Sequence, residues 1–127
     1  MTLIQYLLLT PHNLDYDKQK TACEKYGGFI TEPRTETERD FLDRLDTGPY
    51  FLGMSFVTQR WLWGSDGTEV TWPEGQQESQ ENKKCAVMRP QRDENDGDEF
   101  TERKGWVREG CGSKDKHSLI CQRGKDG

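Results

Sequence analysis

The sequence predicts one α+β domain over residues 1–127, with two helices flanking antiparallel sheets and a long polar loop region. Two amphipathic segments with helix-capping residues stand in the N-terminal part of the chain and predict the helices. Short segments rich in aromatic and β-branched residues dominate the rest of the chain. Turn residues separate them, which predicts antiparallel strands.

The aromatic segment Tyr50–Trp72 is the predicted centre of the core, because it holds three of the four tryptophans and two of the five phenylalanines. Its two apolar runs are separated by turn residues and are expected to pair as strands. Gly53 indicates a bulge or a close backbone approach. We predict that Trp61 and Trp63 are core residues, whereas Trp72 opens a polar loop.

The composition limits both the core and the function. Only 31% of the residues are hydrophobic and 32% are charged, so a core of this size needs reinforcement, for which the four cysteines are the candidates. The net charge of −5 argues against a nucleic-acid surface and offers no polybasic membrane anchor. No apolar run approaches the ~20 residues of a membrane-spanning helix. An even number of scattered cysteines favours disulfides and an extracellular location over a zinc site.

The first helix is expected to end near Tyr26, with Asn13 or Asp15 as its N-cap and Gly27-Gly28 after its last turn. Before it, Leu3–Leu9 is too short and interrupted for a signal-peptide core and predicts an edge strand that ends at Thr10-Pro11. Any secretion signal is therefore expected to have been removed.

The second helix is predicted from the capping box Thr35-Glu-Thr-Glu38, in which the hydroxyl of the first residue accepts from the amide of the last. Phe41, Leu42 and Leu45 are expected to form its apolar face, and Gly48-Pro49 its end.

Two long polar segments follow Trp72, at 73–84 and at 89–104. They alternate with three predicted strands, at 85–88, 105–108 and 117–121. Because both polar segments are attached to cysteine-bearing strands, we interpret them as functional loops rather than as misassigned structure.

Several motifs in this order resemble the C-type lectin-like domain in its short, four-cysteine form. They are Phe51-Leu-Gly-Met, Trp63-Gly-Ser-Asp-Gly, Trp72-Pro-Glu-Gly-Gln, Cys85-Ala-Val, Gly105-Trp106 and a closing Leu-Ile-Cys121. The resemblance covers nearly the whole chain. It implies disulfides Cys23–Cys121 and Cys85–Cys111, although the sequence alone permits three connectivities.

The resemblance also implies where calcium and sugar would bind, and most of the expected oxygen ligands are absent there. The family's ligand triplet, Glu-Pro-Asn or Gln-Pro-Asp, aligns with Gln76-Gln77-Glu78, its acidic position with Lys83, and its Asn-Asp pair with Val107-Arg108. Since calcium requires six to eight oxygens, we expect no cofactor at this site. Instead, Arg108 is expected to bridge to Glu78 beside Lys83.

The candidate ligand-binding residues are Gln76, Gln77, Glu78, Lys83, Trp106, Arg108 and Glu109. If a calcium ion does bind, its candidate ligands are Glu78, Glu81, Asp93, Asp96 and Asp98. The acidic run 93–99 does not match the spacing of an EF-hand and is read as a solvated loop.

No nucleophile with an identifiable base and no phosphate loop is present, so we predict a non-enzymatic, extracellular recognition module. The leading hypothesis is a protein ligand bound without calcium. One alternative is a carbohydrate-binding lectin with a rearranged calcium and sugar site. Another is a structural subunit of a disulfide-rich assembly. Homo-oligomers are compatible with each reading.

Overall fold

A computed structural model describes residues 4–12, 14–45, 49–72, 84–92, 102–112 and 117–124. It confirms the α+β class. The elements are β1 (Gln5–His12), α1 (Tyr16–Tyr26), β2 (Phe29–Ile30), α2 (Glu36–Asp43), β3 (Tyr50–Phe51), β4 (Met54–Val57), β5 (Arg60–Trp63), β6 (Cys85–Arg92), β7 (Glu102–Glu109) and β8 (His117–Arg123).

The main sheet has the strand order β1-β8-β3-β6-β7, and β2 also pairs with β8. All of its pairs are antiparallel except β3 with β8, which meet in parallel at Tyr50 and Ser118. The edge position predicted for β1 is confirmed. The predicted end of the strand at Thr10-Pro11 is wrong, because β1 continues to His12 through a shift in its register with β8.

Strands β6 and β7 are longer than the sequence suggested. Their pairing runs from Cys85 opposite Glu109 to Arg92 opposite Glu102. Residues 89–92 and 102–104, predicted to lie in a polar loop, are therefore strand residues. Backbone hydrogen bonds between neighbouring strands need no apolar side chains, so a polar composition did not prevent the pairing.

Both helices begin at their expected caps, and α1 also ends as expected. The predicted end of α2 at Gly48-Pro49 is wrong, because the helix ends at Asp43 with Arg44 as its C-cap. Asp15 caps α1 by accepting from the amide of Lys18 at 2.9 Å, and Gly27 ends the helix at a φ of 89°. In α2 the Thr35 hydroxyl accepts from the Glu38 amide and donates to the Glu38 carboxylate, both at 3.2 Å. The Glu38 carboxylate also accepts from the amide of Arg34. The capping box is thus confirmed.

The predicted apolar face of α2 needs a correction. Leu42 is fully buried, but Phe41 is 48% and Leu45 37% exposed. Glu38 and Leu42, one turn apart, form the row of side chains that faces the sheet. Phe41 lies on the neighbouring row, where it stacks on Tyr6 of the edge strand at 5.3 Å.

Buried side chains form two clusters, and alternation along strands β3, β6, β7 and β8 of the main sheet sends successive residues to different clusters. One cluster contains Leu42, Tyr50 and the buried tryptophans, and the other contains Tyr16, Phe51 and the cysteines of β6 and β8. Two disulfides reinforce the second cluster, Cys23–Cys121 and Cys85–Cys111. These are the pairs that the family resemblance implies.

Strands β4 and β5 form a hairpin that carries the predicted aromatic core. Phe56 lies opposite Trp61, and Met54 lies opposite Trp63. Gly53, just before the hairpin, makes the close backbone approach that the sequence indicated: a Cβ there would lie 2.3 Å from the carbonyl oxygen of Ile30.

Candidate functional site

The described part of the candidate site lies at the end of β7. Because successive strand residues point to opposite faces, Trp106 and Arg108 share one face, opposite Met88 and Ala86. Glu109 points to the other face. The structure therefore brings together two of the three described candidate residues and separates the third from them.

Arg108 is only 8% exposed, although it carries a permanent charge. The centre of its guanidinium lies 4.6 Å from the ring centre of Phe56 and 5.1 Å from that of Trp61. The ammonium nitrogen of Lys84 lies 4.9 Å from the same Phe56 ring. Aromatic faces attract cations electrostatically at these distances. We refer to Phe56, Trp61, Lys84 and Arg108 together as the Arg108 platform.

A continuous series of tryptophan contacts extends from Trp61 of the platform into the core. The ring of Trp61 contacts Trp72 at 5.3 Å, Trp72 contacts Trp106 at 5.8 Å, and Trp106 contacts Trp63 at 6.0 Å. Trp61 and Trp63 are each 5% exposed, which confirms that both are core residues. Trp106, a candidate ligand-binding residue, is 3% exposed, so its ring belongs to the core and presents little surface to a ligand.

A partly buried ionic network contacts Trp63, at the other end of the tryptophan series, and sequence reasoning missed it. The guanidinium of Arg34 contacts the Glu32 carboxylate at 2.6 Å and the Asp66 carboxylate at 3.0 Å. The same group lies 5.4 Å from the ring centre of Trp63. Glu32 also accepts from the amide and the hydroxyl of Ser65, at 2.8 and 2.7 Å.

Burial opposes the charge of Arg34, yet its hydrogen bonds to Asp66 and Glu32 raise its pKa above the usual value. The network ties the segment after β2 to the turn after β5. That turn, Ser65-Asp66-Gly67, lies in the motif Trp63-Gly-Ser-Asp-Gly, but the sequence contains no signal that a residue 32 positions earlier would bind it.

A half-open groove of about 360 Å³ lies on the α1 side of this network. Tyr16, Lys20 and Glu24 line it from α1, and Ile30 and Gly53 line it from the segments opposite. Burial and the nearby Glu32 carboxylate raise the pKa of Tyr16 to about 12, so its hydroxyl stays protonated at physiological pH.

The remaining candidate residues lie outside the described part of the chain. This applies to Gln76, Gln77, Glu78, Glu81, Lys83, Asp93, Asp96 and Asp98. The expected bridge between Arg108 and Glu78 therefore stays a prediction. Within the described ranges, no group of three or more His, Cys, Asp or Glu side chains is placed to hold a metal ion.

The described end of β7 does not fit a calcium ion. At the two positions where the family resemblance implies oxygen ligands, the chain has Val107 and Arg108. Val107 packs against the disulfide-containing cluster, and Arg108 brings a buried positive charge to the opposite face. Neither side chain carries an oxygen.

Among the described helices, none combines the length and apolar character needed to cross a bilayer.

Comparison with solved structures gives the same fold. The C-type lectin domain of murine dendritic cell inhibitory receptor 2, solved with an N-glycan, matches with a TM-score of 0.71 and 21% identity, covering 96% of this chain and 91% of that one. The cow CD23 carbohydrate-recognition domain matches at 0.69 and 19%, covering 98% and 90%. A calcium-dependent type II antifreeze protein in its calcium-free form matches at 0.69 and 25%, covering 94% and 91%.

No curated protein sequence gives a significant match. The sequence profile of the family described as Lectin C-type domain, however, matches residues 12–123, which is most of the chain. With the fold and this match in agreement, the chain belongs to the C-type lectin domain family.

Proposed function

We propose that this domain is an extracellular, non-enzymatic recognition module that binds a protein ligand through the Arg108 platform and the neighbouring loops, without calcium. The single observation that carries the proposal is the buried guanidinium of Arg108, which lies against the rings of both Phe56 and Trp61. The family resemblance places a carboxylate and a calcium ion at this end of β7. A fixed positive charge opposes divalent cation binding there, since like charges repel strongly where water is partly excluded.

The chemistry of the platform suits a protein surface. Aromatic side chains on a rigid support contribute strongly to protein–protein affinity, and here the partly exposed Phe56 is supported by the buried Trp61 and Arg108. Lys84 is exposed beside them and keeps a charged donor available to the ligand. The two disulfides support an extracellular location, because such bonds persist in oxidising compartments.

A glycan ligand is the second candidate, favoured by one specific comparison. The dendritic cell inhibitory receptor 2 domain that shares this fold was solved with an N-glycan bound. A glycan would here have to use direct hydrogen bonds to side chains such as Lys84 instead of a calcium ion.

Calcium dependence is tested first, by calorimetric titration with calcium and by melting with calcium or chelator. We expect no binding heat and the same Tm in both solutions. We also expect that Arg108→Asp combined with Lys83→Glu, which exchanges two cations for carboxylates, moves the site toward calcium affinity. A Tm that rises by several degrees in millimolar calcium would contradict the proposal.

The ligand class is tested with a fluorescent tetramer of the domain on cells. We expect staining that protease treatment of the cells abolishes and that glycosidase treatment and chelator leave unchanged. Lys84→Glu should weaken staining, whereas Lys25→Glu, which changes an exposed cation on α1, should not. Loss of staining after glycosidase, together with signal on a glycan array, would favour the glycan alternative.

A further inference from the structure

The groove beside α1 presents three polar side chains from a single row of the helix. Tyr16, Lys20 and Glu24 follow one another at intervals of about one turn, so they line the groove from the same face of α1. Lys20 and Glu24 are exposed, and neither forms an ion pair within the described part of the chain. The rim of the groove therefore carries one positive and one negative charge that a ligand can bind.

The hydroxyl of Tyr16 adds a polar group to the groove. Its pKa of about 12 keeps it protonated, and no other described residue is hydrogen-bonded to it. The carboxylates of Glu32 and Asp17 contribute to this raised pKa, so the electrostatic potential at the hydroxyl is negative. A cationic group of a ligand is favoured beside the hydroxyl oxygen, which can accept a hydrogen bond from it.

Three of the residues that line the groove are glycines, Gly28, Gly53 and Gly64. Packing requires the first two, because a Cβ there would lie 2.2 and 2.3 Å from backbone carbonyl oxygens. At Gly64 the nearest atoms would be the carbonyl oxygen of Gly53 at 3.4 Å and the Tyr16 hydroxyl at 4.0 Å, which are ordinary contacts. Neither packing nor a positive φ requires a glycine at this position, yet its lack of a side chain leaves the groove open.

The size and lining of the groove limit the ligand to a small molecule with an apolar group. Its volume of about 360 Å³ is at the lower end of the range for small-molecule sites. Phe29 and Ile30 supply apolar lining. Because residues four apart on a helix have Cβ atoms about 5–6 Å apart, Lys20 and Glu24 can contact a carboxylate and an ammonium carried by the same carbon atom.

We propose that this groove binds a single zwitterionic amino acid with an apolar or aromatic side chain. The ligand carboxylate contacts Lys20, its ammonium contacts Glu24 and the Tyr16 oxygen, and its side chain lies on the apolar lining. A ligand with only one of the two charges leaves the opposite charge at the rim without a partner. The site shares no residue with the Arg108 platform, so it does not depend on the function proposed for that surface.

NMR titration of the 15N-labelled protein with three molecules that share a phenyl group tests the proposal. Phenylalanine carries both charges, 2-phenylethylamine only the positive one and 3-phenylpropionate only the negative one. For phenylalanine we expect saturable shifts of the Lys20, Gly64 and Ser65 amides with a Kd on the order of 1 mM, as suits a ligand of about 12 non-hydrogen atoms. Each single-charge molecule should bind at least about threefold more weakly.

The site is tested with a variant that fills the groove. Gly64→Leu places a side chain beside the Tyr16 hydroxyl and should abolish the shifts. Gly110→Leu is the matched control, because a Cβ at Gly110 would have no neighbour within 4 Å, and it should bind phenylalanine like the parent. The dispersion of the amide signals checks that both variants keep the parent fold.

The two rim charges are tested separately, with substitutions at exposed positions that leave the core unchanged. Glu24→Gln should remove the preference for phenylalanine over 3-phenylpropionate, and Lys20→Gln the preference over 2-phenylethylamine. Lys25→Gln, also exposed on α1 but outside this groove, should change neither preference.

Three results would overturn the proposal. The first is the absence of shifts at about 20 mM phenylalanine, well above the expected Kd. The second is a folded Gly64→Leu variant that binds phenylalanine like the parent, which would place binding elsewhere. The third is equal binding of phenylalanine and either single-charge molecule by the parent, which would mean that the groove does not recognise a zwitterion.

Discussion

The carboxylate of Glu32 lies 2.6 Å from the guanidinium of Arg34, and the Glu32 side chain is completely shielded from solvent. This carboxylate also accepts two hydrogen bonds from Ser65, so its negative charge is matched by donors from two segments of the chain. The pair therefore fixes the turn after β5, and with it Trp63, in position.

Glu32→Gln should destabilise the domain by about 1.5–3 kcal/mol, because it removes the buried negative charge from this pair while Asp66 remains beside the guanidinium of Arg34. Urea unfolding followed by tryptophan fluorescence measures the change. Glu36→Gln makes the same substitution at an exposed position in α2 and should cost less than about 0.5 kcal/mol. Equal stabilities for the two variants would show that the network contributes nothing.

Trp63→Ala should cost roughly 3–5 kcal/mol, since it removes a ring that is 95% buried and contacts both Trp106 and Arg34. Val57→Ala truncates an exposed side chain on the same hairpin and serves as the control. Thermal melting of both variants measures the difference. If Trp63→Ala melts within a degree or two of the parent, the ring is not part of the core.

Arg108→Lys should lower stability by about 1 kcal/mol although it keeps the positive charge. The planar guanidinium that stacks on Phe56 and Trp61 is replaced by a compact ammonium. Arg60→Lys, on the exposed side of the neighbouring strand, is the control and should be neutral. The free energies of unfolding of the two variants and the parent are measured by chemical unfolding at low and at high salt. An Arg108→Lys variant as stable as the parent would show that stacking of the guanidinium on the two rings adds no measurable stability.

The buried tyrosines should make stability fall at high pH. Burial raises the pKa of Tyr16 to about 12 and also raises that of Tyr50. In the unfolded chain both hydroxyls ionise near pH 10, while in the folded protein they remain protonated. The unfolded state therefore loses protons first, and stability declines as the pH rises from about 10 toward 12.

Urea unfolding from pH 8 to 11.5 measures this decline, and ultraviolet difference spectra follow the ionisation of the tyrosines. Tyr16→Phe should show a shallower loss of stability than the parent, because Phe has no proton to release. An unchanged slope in this variant would mean that Tyr16 titrates with its ordinary pKa in the folded protein.

Features that depend on neighbouring residues could be predicted from the sequence. Asp15 and Thr35 cap their helices, and Gly27 ends α1, because capping involves atoms only a few positions apart. The β4–β5 hairpin and the burial of Trp61 and Trp63 also followed from the density of aromatic residues in a polar chain. The cysteine pairs came from the ordered motifs of the family and not from spacing alone.

The candidate site was only partly predictable. The alignment on family motifs drew attention to Arg108, but it offered Glu78 as the partner and did not suggest Phe56 or Trp61. Stacking of the guanidinium on these rings requires β7 to lie beside the β4–β5 hairpin, an arrangement that no local pattern encodes.

By itself the sequence determined the α+β class, the helix starts and the end of α1, the aromatic core and the family, because each rests on short-range chemistry or on an ordered set of motifs. Only the tertiary structure decided which side chains the sheet covers. Phe41 has the spacing of a buried face, yet it stays exposed because the sheet ends at β1 beside it, and Leu45 lies beyond the last residue of α2. Burial depends on what packs against a residue from elsewhere in the chain, and the same is true of the contact between Arg34 and Glu32 and the turn after β5.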